Sequence, residues 1–279
     1  MKLKHGLFLA AAAALTAVLF LFADTIPPPP EPANQAIESI DQPQVEASTI
    51  IEAAQKLLPE GPAEEVRQKE LALRRARNDQ QRAALLADLA KSWEQIGHPV
   101  LAGHYYEEAY RMYPERKWLE QAAELYFVGF SLASDSTTRL FGAQRAAAAY
   151  HQLYDLDSTR LEYRIREATS YIDGLGNVMQ GVMLLREVEA IDPDHAQVNV
   201  ILGRLGVLSG QYDKAIARLE KVTRNDPKHA EAYFHLAQAY RAVGRTNDAI
   251  AAFERVRDLV DDPEFDAQLN HLIEQIKKR

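Results

Sequence analysis

The chain has 279 residues, 47% hydrophobic and 26% charged, a globular composition long enough for two ordinary domains or one extended repeat array. Its 32 Lys and Arg against 40 Asp and Glu leave a net charge of −8, a balance that argues against a dedicated nucleic-acid binder. The sequence has no cysteine, which excludes disulfides, thiolate zinc sites, iron–sulfur clusters, a cysteine nucleophile and a lipid anchor on an N-terminal Cys.

Residues 1–25 read as a signal anchor or signal peptide. Lys2 and Lys4 precede a stretch, residues 7–23, in which Thr16 is the only polar side chain. As a helix these 17 residues span about 25 Å, the short end of what a bilayer requires. A cleavable signal needs small residues at −3 and −1, and cleavage after Ala23 would put Leu21 at −3. An uncleaved helix is therefore expected, single-pass in an inner membrane, with Lys2 and Lys4 left in the cytoplasm and the rest in the periplasm. The alternative is a soluble periplasmic protein after cleavage. Residues 26–34 form a Pro-rich linker, with prolines at 27, 28, 29, 30 and 32. Polyproline II is stiff, and a spacer lifting the chain off the bilayer suits this position better than an SH3-type ligand.

Residues 35–82 are expected to be a helical lead-in. The pattern over 35–58 is weak and broken at Pro43, and Pro59, Gly61 and Pro62 mark a stop. From 63 the chain reads as helix through 96, and the charge-dense stretch 67–82 reads as solvated.

Beyond this point a fixed period takes over. Gly176, Gly210 and Gly244 are 34 residues apart, as are Gly181, Ala215 and Ala249; Leu185, Leu219 and Phe253; and Val188, Val222 and Val256. Pro193 and Pro227 keep the step, and Pro263 follows with a two-residue slip. Each column has a physical reason. The glycine ends a first helix in the left-handed conformation that only Gly adopts cheaply. The small residue allows two helices to cross closely, and the large apolar residue four positions on fills the space between them. Proline follows the second helix, where it cannot continue the ladder. His195 and His229 share the period in Asp-Pro-Xaa-His-Ala, which makes them turn residues rather than metal ligands.

This pattern resembles the tetratricopeptide repeat (TPR) family. Residues 230–263 carry Tyr233, Leu236, Ala237, Tyr240, Gly244, Ala249, Phe253 and Pro263 at its offsets; residues 83–116 carry Leu86, Leu89, Ala90, Trp93, Gly97, Ala102, Tyr106, Ala109 and Pro114. Two further units fall at 160–195, with Ala168, Ile172, Gly181 and Leu185, and at 196–229, with Leu202, Gly203, Tyr212 and Ala215. Residues 117–159 form an irregular unit with helices at 118–132 and 138–154, Ala146 and Tyr150 in the small and aromatic positions, and an overlong joint at 131–142. The five units span 83–263, and residues 264–279 form a capping helix with Phe265, Leu269, Leu272, Ile273 and Ile276 on one face. The resemblance implies an all-α fold, a right-handed TPR solenoid of helix pairs with a C-terminal cap, behind the N-terminal anchor helix.

Catalytic patterns are missing from the sequence: it has no Gly-rich phosphate loop, His-Glu-x-x-His helix or Gly-x-Ser-x-Gly elbow. His104 and Glu107 have a spacing used in carboxylate-bridged metal sites, but one such pair is insufficient and reads as solvated. Asp261, Asp262, Glu264 and Asp266 suit a helix N-terminus. No enzyme activity, cofactor or metal is expected.

What the resemblance implies is a groove lined by the first helix of each unit. In this register Lys91, Gln95, Gln121, Leu125, Tyr163, Arg166, Arg204, Phe234, Gln238 and Arg241 face inward as candidate partner-binding residues. Arg166, Arg204 and Arg241 recur on successive units and suit carboxylates; solvated helix surface with incidental arginines is the competing reading. The paired Lys and Asn of the family's chaperone-tail clamp are replaced by Arg166 with Ser170 and by Val200 with Arg204, so that ligand is not carried over. The stretch GNVMQGVMLLREVEAIDP at 176–193 followed by two regular units resembles exported TPR proteins of Bacteroidota. The implied function is a non-catalytic scaffold or adaptor that binds a protein partner in the bacterial envelope, with a membrane contact through the N-terminal helix, no nucleic acid, and self-association as an accompaniment. The alternative is a periplasmic holdase or assembly factor using Leu125, Tyr163 and Phe234 as apolar contacts.

Overall fold

The computed structural model describes residues 45–278; the expected anchor, the Pro-rich linker and the start of the lead-in lie outside them. The described residues form thirteen α-helices and one π-helical turn, without a strand among them, and none of these helices is long and apolar enough to cross a membrane. They fall into two compact units, residues 45–191 and 192–278.

In the N-terminal unit α1 (Ala47–Leu57) and α2 (Glu60–Leu73) precede three helix pairs: α3 (Asp79–Gln95) with α4 (Pro99–Met112), α5 (Arg116–Leu132) with α6 (Ser136–Leu156), and α7 (Leu161–Thr169) with α8 (Val178–Ile191). From α2 onward each helix within a unit packs mainly on a neighbour in sequence, as short turns require. Trp93, Leu89, Leu101, Leu119, Tyr126, Phe130, Leu153, Ile165 and Leu185 are fully buried between the layers. The C-terminal unit repeats the plan with α9 (Ala196–Leu208), α10 (Tyr212–Asn225), α11 (Ala230–Ala242) and α12 (Thr246–Leu259), and α13 (Pro263–Lys277) follows. Ala215, Leu219, Ala237, Ala249 and Phe253 are its fully buried centre, and α13 closes it with Phe265, Leu269, Ile273 and Ile276.

The turn chemistry accounts for the helix ends. Gly97, Gly176, Gly210 and Gly244 stand at φ of 90, 68, 75 and 77°, the left-handed region that terminates a first helix. Side chains of Asn78, Asp135, His229 and Asp262 accept backbone N–H bonds at helix starts, and Pro99 and Pro263 occupy first-turn positions where a missing N–H costs nothing. His229 is thus a cap, and Asp262 gives the acidic cluster at 261–266 its structural role.

Four features depart from the sequence-based expectation. The helix expected over 63–96 is two helices broken at 74–78, because Asn78 caps α3 by accepting from Gln81 N–H (2.8 Å). The weak pattern over 35–58 does not leave its described part peripheral: Ile50 and Ala54 of α1 are buried where α1 packs on α4 and α6, while no residue of 67–82 is buried, and Ser92 Oγ donates to Glu65 Oε1 (2.7 Å) beneath α2. The joint between α5 and α6 is only residues 133–135; the surplus length lies in the helices, which run 17 and 21 residues. Finally, α7 runs into a π-helical turn, Ser170–Gly174, and Gly174 fits there because an added Cβ would stand 2.4 Å from Ala143 Cβ.

Candidate functional site

The N-terminal unit holds a furrow of about 230 Å³ lined by Glu120, Glu124, Tyr150, Leu153, Arg160, Glu162, Tyr163 and Arg166. Its geometry follows from the pairing: α5 and α7, the first helices of their pairs, pack on α6 rather than on each other, so a gap remains with Tyr150 and Leu153 as its floor.

A network of charges and phenols runs along this furrow and extends past its lining to Arg116 and Asp157. Tyr163 Oη donates to Glu120 Oε1 (2.6 Å), and Arg116 Nη2 donates both to Tyr163 Oη (3.1 Å) and to Asp157 Oδ2 (3.0 Å). Arg160 Nη1 reaches Glu120 Oε1 at 3.0 Å, and its guanidinium lies 4.6 Å from the Tyr163 ring centre. Tyr150 Oη donates to Glu124 Oε2 (2.9 Å), and Arg166 Nε to Glu162 Oε1 (2.8 Å) with the guanidinium 4.6 Å from the Phe127 ring. The Tyr163 hydrogen bond, ahead of Arg116 and Arg160, holds the Glu120 carboxyl below the ordinary carboxylate range. Burial pushes the Tyr150 phenol far above its ordinary value, so it is a hydrogen-bond donor at every physiological pH.

The ten candidate residues are divided between the two units. Tyr163 and Arg166 line the furrow together. Lys91 and Gln95 on α3 and Gln121 on α5 are exposed and lie outside its lining. Leu125 and Tyr163 are buried, and Tyr163 offers its polar edge to Glu120 rather than an apolar face to a ligand. Arg204, Phe234, Gln238 and Arg241 belong to the C-terminal unit. There Phe234 is only 6% exposed, its ring 5.8 Å from that of Phe253 and 6.3 Å from that of Phe265, which makes it core instead of groove wall. Gln238 Oε1 is 2.9 Å from Nδ1 of His235, and burial lowers that imidazole's pKa to about 4.

The expected solvated pair His104 and Glu107 is mostly buried. The His104 ring packs against Tyr105 and Phe141, while Glu107 accepts from Tyr126 Oη (2.8 Å) and pairs with Arg111 (2.8 Å) and Arg145. Among the described residues no cluster of three His, Asp or Glu side chains is placed to hold a metal ion. The sequence reading missed Glu120, Glu124, Tyr150, Arg160 and Glu162. No period in the sequence announces these five, but a different contact does recur: Tyr126 bonds Glu107 and Tyr240 bonds Glu220, in each case a Tyr of a first helix to a Glu of the preceding second helix, 19 and 20 residues back. The repeats therefore carry a recurrent polar tether between adjacent pairs.

Residues 206–276 match the tetratricopeptide repeat family model. Among solved structures the chain is similar to YrrB, described as a TPR protein with an unusual peptide-binding site, at 15% identity over 68% of this chain and 91% of that one, with a TM-score of 0.46. It is also similar to MamA of Desulfovibrio magneticus RS-1, at 20% identity over 63% and 94% with a TM-score of 0.48. A thermophilic TPR protein of Thermus thermophilus matches at 18% identity over 71% and 100%, with a TM-score of 0.47. No curated protein matches the sequence. The repeat class is one of protein-interaction modules, in which stacked helix pairs present extended surfaces to a polypeptide.

Proposed function

We propose that the protein is a non-catalytic interaction scaffold of the bacterial envelope, held at the inner membrane by residues 1–25 and binding a protein partner in the periplasm through its helix pairs. The observation that carries the binding reading is the α5–α7 furrow. It sets two guanidinium groups, Arg160 and Arg166, among the carboxylates of Glu120, Glu124 and Glu162 over a floor of Tyr150 and Leu153. Such a surface exchanges its internal ion pairs for the side chains of a polypeptide. Support for the location comes from the sequence: Lys2 and Lys4 ahead of the apolar stretch, the Pro-rich spacer behind it, and the likeness of 176–193 to exported Bacteroidota TPR proteins. The holdase alternative drew on Leu125, Tyr163 and Phe234, all buried, so the scaffold is preferred.

Gentle detergent extraction of the tagged protein, with mass spectrometry of what accompanies it and of its own N-terminal peptide, tests this reading. One or two envelope proteins at equal stoichiometry, with residues 1–23 intact, are expected. A long substoichiometric series of unrelated exported chains would replace the scaffold with a chaperone, and recovery of a shortened N-terminus would remove the anchor.

A further inference from the structure

The C-terminal unit carries a second and larger furrow, about 440 Å³, which the proposed function does not use. α10 and α12, both second helices of their pairs, pack on α11 and not on each other. The gap between them is floored by Tyr233, Leu236 and Tyr240 of α11, with Ala251 and Ala252 of α12 on one side. At 3.6 residues per turn these three α11 positions lie on a different face from Gln238 and Arg241.

The furrow has charged ends of opposite sign. One end bears Glu220 and Asp248, two carboxylates that share the single guanidinium of Arg245 and so keep an excess negative charge: Tyr240 Oη donates to Glu220 Oε1 (2.6 Å), Arg245 Nε donates to Asp248 Oδ2 (2.7 Å), and Arg245 Nη1 stands 3.8 Å from Glu220 Oε1. The other end bears Arg224, Tyr233 and Arg255. Arg255 lies over the Tyr233 ring at 6.0 Å and gives Nη2 to the Pro227 carbonyl (2.9 Å), leaving its other N–H groups available. Arg224 is exposed and makes no hydrogen bond or ion pair among the described residues. The Arg end thus gathers donors suited to a carboxylate, and the middle is apolar. Tyr233 and Tyr240 are seven positions apart on α11, which is about 10 Å along the helix and about three residues of extended chain.

We propose that this furrow binds an extended segment of a protein partner in which an acidic side chain stands three residues from a basic one, with small or aliphatic side chains between them. The acidic group pairs with Arg224 and Arg255, the basic group meets Glu220 and Asp248, and the aliphatic side chains lie over Leu236, Ala251 and Ala252. The carboxylates at the far end disfavour a polyanion, so neither nucleic acid nor an acidic tract fits along its whole length. The inference rests on the reading that the chain binds proteins, and its test is separable from that reading.

The test uses the full chain in mild detergent micelles and two short fluorescein-labelled peptides with Gly-Ser flanks, one containing Asp-Leu-Ala-Lys and the other Lys-Leu-Ala-Asp, one for each chain direction. One of them is expected to give a saturable rise in anisotropy, weakened about tenfold or more by Arg224→Glu. Exchanging the peptide's Asp for Asn should weaken binding to the wild type similarly and add little to the loss in the variant. Arg224 is exposed, so the variant keeps the wild-type melting temperature and circular dichroism. Absence of saturation with both peptides, or equal binding by wild type and Arg224→Glu, overturns the proposal. If a stoichiometric partner still co-purifies in that case, the scaffold reading stands and only the furrow assignment fails.

Discussion

Phe234→Ala separates a groove wall from a core, because the two placements assign that side chain costs that differ several-fold. Phe234 is 6% exposed, and its ring packs at 5.8 Å from Phe253 and 6.3 Å from Phe265, joining α11, α12 and the closing helix α13. Truncating a buried Phe loses its transfer free energy and leaves a cavity, together about 3–5 kcal/mol. An inward-facing groove residue open to solvent would lose less than about 1 kcal/mol. The C-terminal unit is of the size for which each kcal/mol moves Tm by about 4–8 °C, so its transition should fall by more than about 12 °C. Urea titration followed by far-UV circular dichroism measures the loss, with Leu208→Ala, 60% exposed in the same unit, as a control within about 0.5 kcal/mol of wild type. A Phe234→Ala variant as stable as the Leu208→Ala control would mean that α13 does not cover α11 as described.

Three further outcomes follow from the same packing. Ala215→Arg and Ala249→Arg each force a long cation into a fully buried helix crossing; overpacking of about 1–3 kcal/mol plus the desolvation of the charge should abolish the cooperative melting transition of the C-terminal unit, and tolerance at both sites would refute the crossing register. Tyr240→Phe removes the bond to Glu220 that ties α11 to α10 and should cost about 1 kcal/mol in urea titration; an unchanged midpoint would show the tether to be energetically idle. His235 is buried with its pKa lowered to about 4, below an ordinary unfolded value of about 6.5. The unfolded chain therefore binds the proton first, so stability is fully present above about pH 6.5 and falls by about 3 kcal/mol as pH drops through about 4. His235→Gln should flatten the stability profile over that window, and a wild-type profile flat from pH 6.5 to 4 would contradict the burial of a neutral imidazole.

Much of the fold was legible because its signals are local and repeated. The glycines at 97, 176, 210 and 244 and the small residues at 102, 215 and 249 answer to one backbone conformation and one close crossing, so each marks its position without reference to the rest of the chain. What escaped reading depends on partners distant in sequence. The π-helical turn at 170–174 is accommodated by Gly174 against Ala143, a contact no periodicity announces. The break at 74–78 rests on a single Asn cap amid strong helix formers. Phe234 occupies an inward position of its own helix, and only the approach of Phe265 from α13 turns it into core. The furrow was half legible: Tyr163 and Arg166 were found from register, while Glu120, Tyr150 and Arg160 entered through hydrogen bonds that span 26 to 43 positions.

Site-specific photocrosslinking in living cells tests the binding claim most directly. A benzophenone amino acid is placed at Arg160 or Glu162 in the α5–α7 furrow, and at Arg74, exposed in the turn after α2, as the comparison. The account predicts one discrete crosslinked protein from both furrow positions and none from Arg74. Crosslinks absent from the furrow positions, or the same set of products from all three, would contradict a partner-binding role for this surface.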